Sequence, residues 1–255
     1  MLLAIDIGNT HIVLGVFDRK HLRGEWRVAT QLHKTSDEYG ILTQHLLAAS
    51  KINSKRIAGA IIASVVPPLT PVFHAMTQTY FSKKVITINH ALKTGIRILY
   101  DQPNEIGADR IVNAAAAYHL FGGPLVIIDF GTATTFCVLS KSGDYLGGAI
   151  APGLMISAEA LHTRTAKLAP VELNRPASVI GKNTLSSIQS GLIFGYAGLV
   201  DGLVNRIHTE LGAKTEVIAT GGLCGLLTPE CRTITKMRPT LTLEGLMIIY
   251  GMNRG

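Results

Sequence analysis

Two short stretches decide the fold: Ile5-Asp6-Ile7-Gly8-Asn9-Thr10 and Ile128-Asp129-Phe130-Gly131-Thr132-Ala133. Each sets an acid at the end of an apolar run and a glycine two residues later. The two acids stand 123 residues apart in a chain of 255. Around the first, residues 2–7, 11–17 and 22–29 read as three strands, with Gly8-Asn9 and Asp18-Arg19-Lys20 as the turns. Around the second, residues 125–129, 134–140 and 145–151 repeat that meander, with Gly143-Asp144 at a turn. One D-x-G is common by chance. Two of them at matching places in matching three-strand contexts indicate a duplicated domain with a cleft between the copies.

Reading outward, Thr35-Ser36-Asp37-Glu38 opens a helix to about residue 50, because cap residues and early acids favour a helix N-terminus. A strand over 57–66 stops at Pro67-Pro68. A helix over 70–81 and a strand over 84–88 follow. An Ala-rich helix covers 111–120. In the second half, helices are expected over 155–163 and 184–211, a strand over 215–220 and a last helix over 241–250. The class is α/β, with domains at 1–122 and 123–255.

Composition sets limits. Hydrophobic residues are 47% and charged residues 16%, which excludes a disordered chain. The longest nearly apolar stretch, residues 58–69, is too short for a membrane helix, and Asp6 follows the N-terminus too closely for a signal peptide, so no membrane association is expected. Cys137, Cys224 and Cys231 cannot all pair and lack C-x-x-C spacing, which suits packed thiols in a reduced cytoplasmic chain. The net charge of +7 is scattered, without a run of four basic residues. That balance suits a small anionic ligand, and nucleic acid is not expected.

The turns carry chemistry. A glycine lets the backbone approach a ligand, and successive N–H groups line a concave anion site. Asn9, Thr10, Thr132, Thr134 and Thr135 add neutral donors beside the carboxylates of Asp6 and Asp129. Donors for oxygens and carboxylates for a cation suit a metal-carried phosphate. The bland alternative is a pair of hairpins with Asp and Gly at turn positions. No Walker loop, G-x-G-x-x-G, H-E-x-x-H or G-x-S-x-G occurs. Gly107-Ala108-Asp109-Arg110 precedes the Ala-rich helix. Asp109 there is either a first-turn acid or a general base beside an anion-holding Arg110, which could instead form a structural ion pair. Gly181-Lys182-Asn183-Thr184 is either a ligand loop or the cap of the long helix after it.

Together with Gly147-Gly148-Ala149-Ile150-Ala151-Pro152-Gly153 and Thr220-Gly221-Gly222, these motifs resemble the type III pantothenate kinase family, in family order and over nearly the whole chain. The resemblance implies two ribonuclease-H-like domains with the nucleotide in the cleft between them. It implies ATP held by Asp6, Ile7, Gly8, Asn9, Thr10, His11, Ile12, Val13 and Thr132. It implies pantothenate held by Tyr100, Gly107, Ala108, Asp109, Arg110 and Thr184, with Asp109 as proton acceptor. Asp129 would bind a monovalent cation, K⁺ or NH₄⁺, and Asp6 would help place Mg²⁺. Family members are homodimers with pantothenate near the subunit interface. The segment Leu223-Cys224-Gly225-Leu226-Leu227-Thr228-Pro229 departs from the family's more proline-rich pattern. The implied activity is ATP-dependent phosphorylation of pantothenate, the first step of coenzyme A synthesis. Alternatives are a nucleotide-binding regulatory protein of the same fold, or a kinase for another small hydroxylated acid.

Overall fold

The computed structural model describes residues 1–81 and 84–254. Its strands are β1 (Leu2–Ile7), β2 (His11–Asp18), β3 (His21–Ala29), β4 (Gly59–Ser64), β5 (Val85–Thr87), β6 (Arg97–Ile98), β7 (Leu125–Phe130), β8 (Ala133–Leu139), β9 (Asp144–Pro152), β10 (Glu216–Thr220) and β11 (Lys236–Met237). Its helices are α1 (Ser36–Ala49), α2 (Thr70–Tyr80), α3 (Ala108–Phe121), α4 (Leu154–Thr163), α5 (Thr184–Leu211), α6 (Cys224–Leu227) and α7 (Leu241–Met252).

The chain divides into two compact units. In the first, the sheet order is β3-β2-β1-β4-β5, antiparallel from β1 to β3 and parallel from β1 to β5. In the second, β9-β8-β7-β10-β11 has the same order and the same switch from antiparallel to parallel pairing. The duplication expected from the two D-x-G turns is therefore present as duplicated topology.

Local chemistry explains the elements. The central strand β1 is apolar on both faces because helices cover both. At the sheet edge, β3 alternates exposed and half-buried residues along its length. Helix α1 starts in a capping box: the Thr35 hydroxyl accepts from the Glu38 N–H, and the Glu38 carboxylate accepts from the Thr35 N–H at 2.8 Å. The Thr35 N–H and the Thr35 hydroxyl, both donating to the Glu38 carboxylate, hold that carboxyl below its ordinary value. Asn183 and Ser186 cap α5 in the same way, and Gly212 ends it in the left-handed conformation.

In the first unit, Leu3, Ile5 and Ile7 pack against Tyr39, Leu47, Phe73 and Met76 of α1 and α2. On the other face, Leu2 and Ala4 pack with Val112 and Ala115 of α3 and with Leu243, Leu246 and Ile249 of α7. This last packing shifts the domain boundary read from the sequence. Residues from Leu241 onward belong with the first unit rather than with 123–255. The physical reason is the apolar face of α7, which completes the cover over β1. At Gly245 the backbones approach so closely that a Cβ would stand 2.4 Å from the Val112 carbonyl oxygen.

In the second unit, Val126, Ile128 and Phe130 of β7 pack against Leu192, Ile193, Tyr196 and Val200 of α5. By length and composition alone, α5 could cross a membrane. Its stripe of core residues accounts for that apolarity as the buried face of a domain helix. All three cysteines are buried, and none forms a disulfide. Burial, with Asp201 and Glu230 nearby, pushes the Cys231 thiol up to about 12.

Candidate active site

In the first unit, β1 pairs with β2 through Ile7 and Ile12, which leaves Gly8, Asn9, Thr10 and His11 as the turn. The Gly8 N–H donates to the His11 carbonyl at 3.0 Å. A Cβ on Gly8 would lie 2.9 Å from that same oxygen, so the turn closes at this radius only with glycine. Thr30 at the end of β3 ties the turn down twice. Its hydroxyl donates to the Gly8 carbonyl at 2.7 Å, and its N–H donates to the Thr10 carbonyl at 3.0 Å. No motif in the sequence pointed to Thr30; the bond exists because β3 runs beside β2.

Asn9, Thr10 and His11 are exposed, so amide and hydroxyl donors face outward from a fixed turn. Ile7 and Ile12 are fully buried in the core, so what they can offer a ligand is backbone. Asp6 and Val13 are partners in the ladder, and both are half-buried. By the alternation of the strand, Asp6 shares a face with Leu2 and Ala4, the face covered by α3 and α7.

The Gly107-Ala108-Asp109-Arg110 segment stands at the same end of that sheet. The Val65 N–H, just after β4, donates to the Ile7 carbonyl at 3.0 Å, and Val65 lies beside Gly107. Asp109 occupies the first turn of α3, and its carboxylate accepts the Arg110 N–H at 2.8 Å. A Cβ on Gly107 would meet the Asp109 Oδ1 at 2.5 Å, so glycine clears the space the carboxylate uses. Desolvation raises the Asp109 pKa above the ordinary 3.8; the Arg110 N–H and its guanidinium charge oppose that rise. Arg110 is itself buried. Tyr100 is half-exposed in the irregular segment ahead of α3. Thus Asp6, the first turn and the G-A-D-R segment share one end of one sheet.

In the second unit, Phe130 pairs with Thr134, leaving Gly131, Thr132 and Ala133 as the turn, and the Gly131 N–H donates to the Ala133 carbonyl at 3.2 Å. Asp129 pairs with Thr135 on one side and Thr220 on the other. Gly221, at φ +91°, would with a Cβ come within 2.4 Å of the Asp129 Oδ1. At Gly153 a Cβ would stand 2.0 Å from the Thr132 carbonyl oxygen. Two chain segments therefore close around the Asp129 turn, and each contributes a glycine where the approach is tightest. Thr132 remains exposed.

Thr184 is exposed at the first residue of α5. With Gly181, Lys182, Asn183, Leu161 and Leu168 it lines a groove of about 660 Å³. Asn183 caps α5, as the cap reading expects, and Lys182 and Thr184 border the groove. Among the described residues no cluster of three or more His, Cys, Asp or Glu could hold a metal ion. What these turns offer a cation is single carboxylates with neighbouring hydroxyls, to be completed by ligand oxygens. That arrangement fits Mg²⁺ carried on phosphates.

The chain resembles known proteins in sequence and in fold. A family profile described as Type III pantothenate kinase matches residues 2–206. A protein from Roseiflexus sp. (strain RS-1) named Type III pantothenate kinase is 52% identical over 254 residues, covering 100% of both chains. Among solved structures, a putative Baf family transcriptional activator from Campylobacter jejuni matches at TM-score 0.61 and 19% identity, covering 98% of each chain. An inorganic polyphosphate/ATP-glucomannokinase from Arthrobacter sp. strain KM matches at TM-score 0.52 and 17% identity, covering 99% of each. At those identities the two structures speak for the fold alone.

Proposed function

The chain belongs to the type III pantothenate kinase family, and on that premise we propose a division of labour among its residues. The reaction is ATP-dependent phosphorylation of pantothenate to 4′-phosphopantothenate, in coenzyme A biosynthesis. The substrates are pantothenate and ATP, with Mg²⁺ as the usual partner of the nucleotide.

Asp109 accepts the proton of the pantothenate primary hydroxyl. The hydroxyl oxygen bonds to the γ-phosphorus as the bond to the bridging oxygen breaks, and ADP leaves. The observation that carries this role is the buried carboxyl of Asp109 in the first turn of α3, which desolvation raises above its ordinary value while the Arg110 N–H and guanidinium oppose the rise. Tyr100, Gly107, Ala108, Arg110 and Thr184 hold pantothenate. The Asp6–Val13 segment and Thr132 hold ATP: Asn9 to His11 present donors to phosphate oxygens, and the turn is fixed before the ligand arrives because Thr30 bonds it from behind. Positioning of this kind dominates phosphoryl transfer, which asks little covalent chemistry of the protein.

Asp6 holds Mg²⁺ through one carboxylate, and bound Mg²⁺ supplies charge neutralisation on the phosphates. Asp129 holds a monovalent cation, K⁺ or NH₄⁺. The donor set supports this: one carboxylate, with Thr135 as its ladder partner, suits a large, singly charged, oxygen-seeking ion. The active form is a homodimer. Exposed Ile150, Met155, Ile156, Val179, Ile180 and Leu185, all in the second unit, offer apolar surface for a second copy. Buried thiols without a disulfide suit the cytoplasm.

The test is phosphoryl transfer by dialysed protein with Mg-ATP and pantothenate, with and without K⁺ or NH₄⁺, read by the mass of 4′-phosphopantothenate. Product only with the monovalent ion supports the assignment. ATP binding without product under any cation returns the chain to the regulatory reading or to another acceptor.

A further inference from the structure

The second unit holds a buried hydroxyl that neither substrate binding nor proton transfer uses. Thr220, the last residue of β10, is fully buried, and its Oγ1 has no hydrogen-bond partner. Such an orphan is unfavourable, and native chains keep few of them without a use. Its position gives it one. Thr220 is the ladder partner of Asp129 across the parallel β7–β10 pair, and Thr135 is the partner of Asp129 across the antiparallel β7–β8 pair. Side chains of directly paired residues lie on the same face. Val126, Ile128 and Phe130 occupy the opposite face, in the core against α5. Thr135, Asp129 and Thr220 therefore form a row of three oxygen-bearing side chains across three adjacent strands, about 5 Å apart from strand to strand.

The Asp129 carboxylate leans toward β10, since its Oδ1 stands where a Cβ on Gly221 would fall, 2.4 Å away. Gly221 directly follows Thr220, so the carboxylate and the orphaned hydroxyl are neighbours.

We propose that the Thr220 hydroxyl is a second protein ligand of the monovalent cation, joining the Asp129 carboxylate and leaving Thr135 to complete the row. This rests on Asp129 being the cation's carboxylate ligand. A hydroxyl oxygen suits the role: it brings lone pairs without a second negative charge, so the site favours a monovalent over a divalent ion. Burial removes competing water, and the rigid end of β10 fixes the oxygen before the ion arrives.

The experiment is a thermal-shift titration with KCl against NaCl at constant ionic strength, on the full chain with a non-hydrolysable Mg-ATP analogue. It compares wild type, Asp129→Ala, Thr220→Val and Thr220→Ser. A bound ion raises Tm with its concentration, so the midpoint of the rise reports affinity. Wild type should show a K⁺-specific rise that Asp129→Ala lacks. Thr220→Val, which keeps the shape and removes the oxygen, should need about tenfold more KCl, and Thr220→Ser should titrate like wild type.

If Thr220→Val titrates like wild type while Asp129→Ala does not respond, the Thr220 assignment is overturned and the cation reading stands. If wild type shows no K⁺-specific rise, or Asp129→Ala keeps it, the cation reading fails and takes this proposal with it. In NaCl alone Thr220→Val should melt no lower than wild type. A clear loss there would mean that the hydroxyl makes a structural bond, which also overturns the proposal.

Discussion

The turn after β1 and the turn after β7 are written in nearly the same letters and built differently. The first leaves four residues, Gly8 to His11, inside the Ile7–Ile12 pair; the second leaves three, Gly131 to Ala133, inside the Phe130–Thr134 pair. The first is fastened from one side by Thr30 and shows Asn9, Thr10 and His11 to the outside. The second is closed in by Gly153 and Gly221, with Asp129 against the backbone that follows β10. An open turn with outward donors can receive a large anion such as a triphosphate. A closed one beside a carboxylate has room only for something small. Duplication supplied one scaffold twice, and the surrounding chain specialised each copy by what it packed over the turn.

Breaking the acid beside the open turn should have the largest effect. Asp109→Asn removes the proton acceptor and keeps the shape, so turnover should fall about 10²–10⁴-fold with ATP affinity unchanged. Single-turnover transfer together with nucleotide titration checks this; near-normal turnover would sink the base assignment. The acid limb of the wild-type pH profile should lie above the ordinary Asp value of 3.8, because desolvation raises this carboxyl. The linked stability has a definite sign. The folded state binds the Asp109 proton more tightly than the unfolded chain does. The resulting stability is fully present below the unfolded pKa and is lost as pH rises through the folded one. Asp109→Asn should therefore melt higher than wild type at neutral pH, an advantage that vanishes in acid.

The closed turn should fail differently. Asp129→Ala should remove activity and K⁺ dependence together. Assays at matched ionic strength in potassium and in sodium decide it; a wild-type enzyme equally active in sodium alone would contradict the role. Next come the glycines. Gly221→Ala faces both a positive φ and a Cβ at 2.4 Å from the Asp129 Oδ1, and should cost about 3 kcal/mol. Gly8→Ala meets only the His11 carbonyl at 2.9 Å, and should cost about 1 kcal/mol while raising the KM for ATP. Equal losses in urea denaturation would erase the distinction between the two turns. The smallest effect is expected at Thr30→Val, which removes the bond to the Gly8 carbonyl: about 1 kcal/mol, with a KM for ATP a few-fold higher and an unchanged kcat.

Much of this was legible in the residues. The apolar runs ending in D-x-G marked both turns and the duplicated strand meander. Thr35-Ser36-Asp37-Glu38 marked the start of α1 because cap residues and early acids gather at a helix N-terminus. The G-A-D-R segment stood out because its acid opens a helix. Short elements escaped: β6, α6 and β11 have two to four residues each, too few for any period to show. The edge of the second domain was misplaced for a different reason. An apolar helix such as α7 carries no mark of which sheet it covers.

Sequence by itself determined the order of the longer strands and helices, the two turns, the carboxylates and the family, because these follow from local patterns and from spacing along the chain. Only the tertiary structure decided that α7 belongs with the first sheet, that Thr30 secures the first turn, that burial raises Asp109, and that Thr220 sits unpartnered beside Asp129. Each of these depends on strands or helices distant in sequence coming side by side. The hydrogen bonds and the desolvation that follow are properties of the packed neighbourhood, and no single segment contains them.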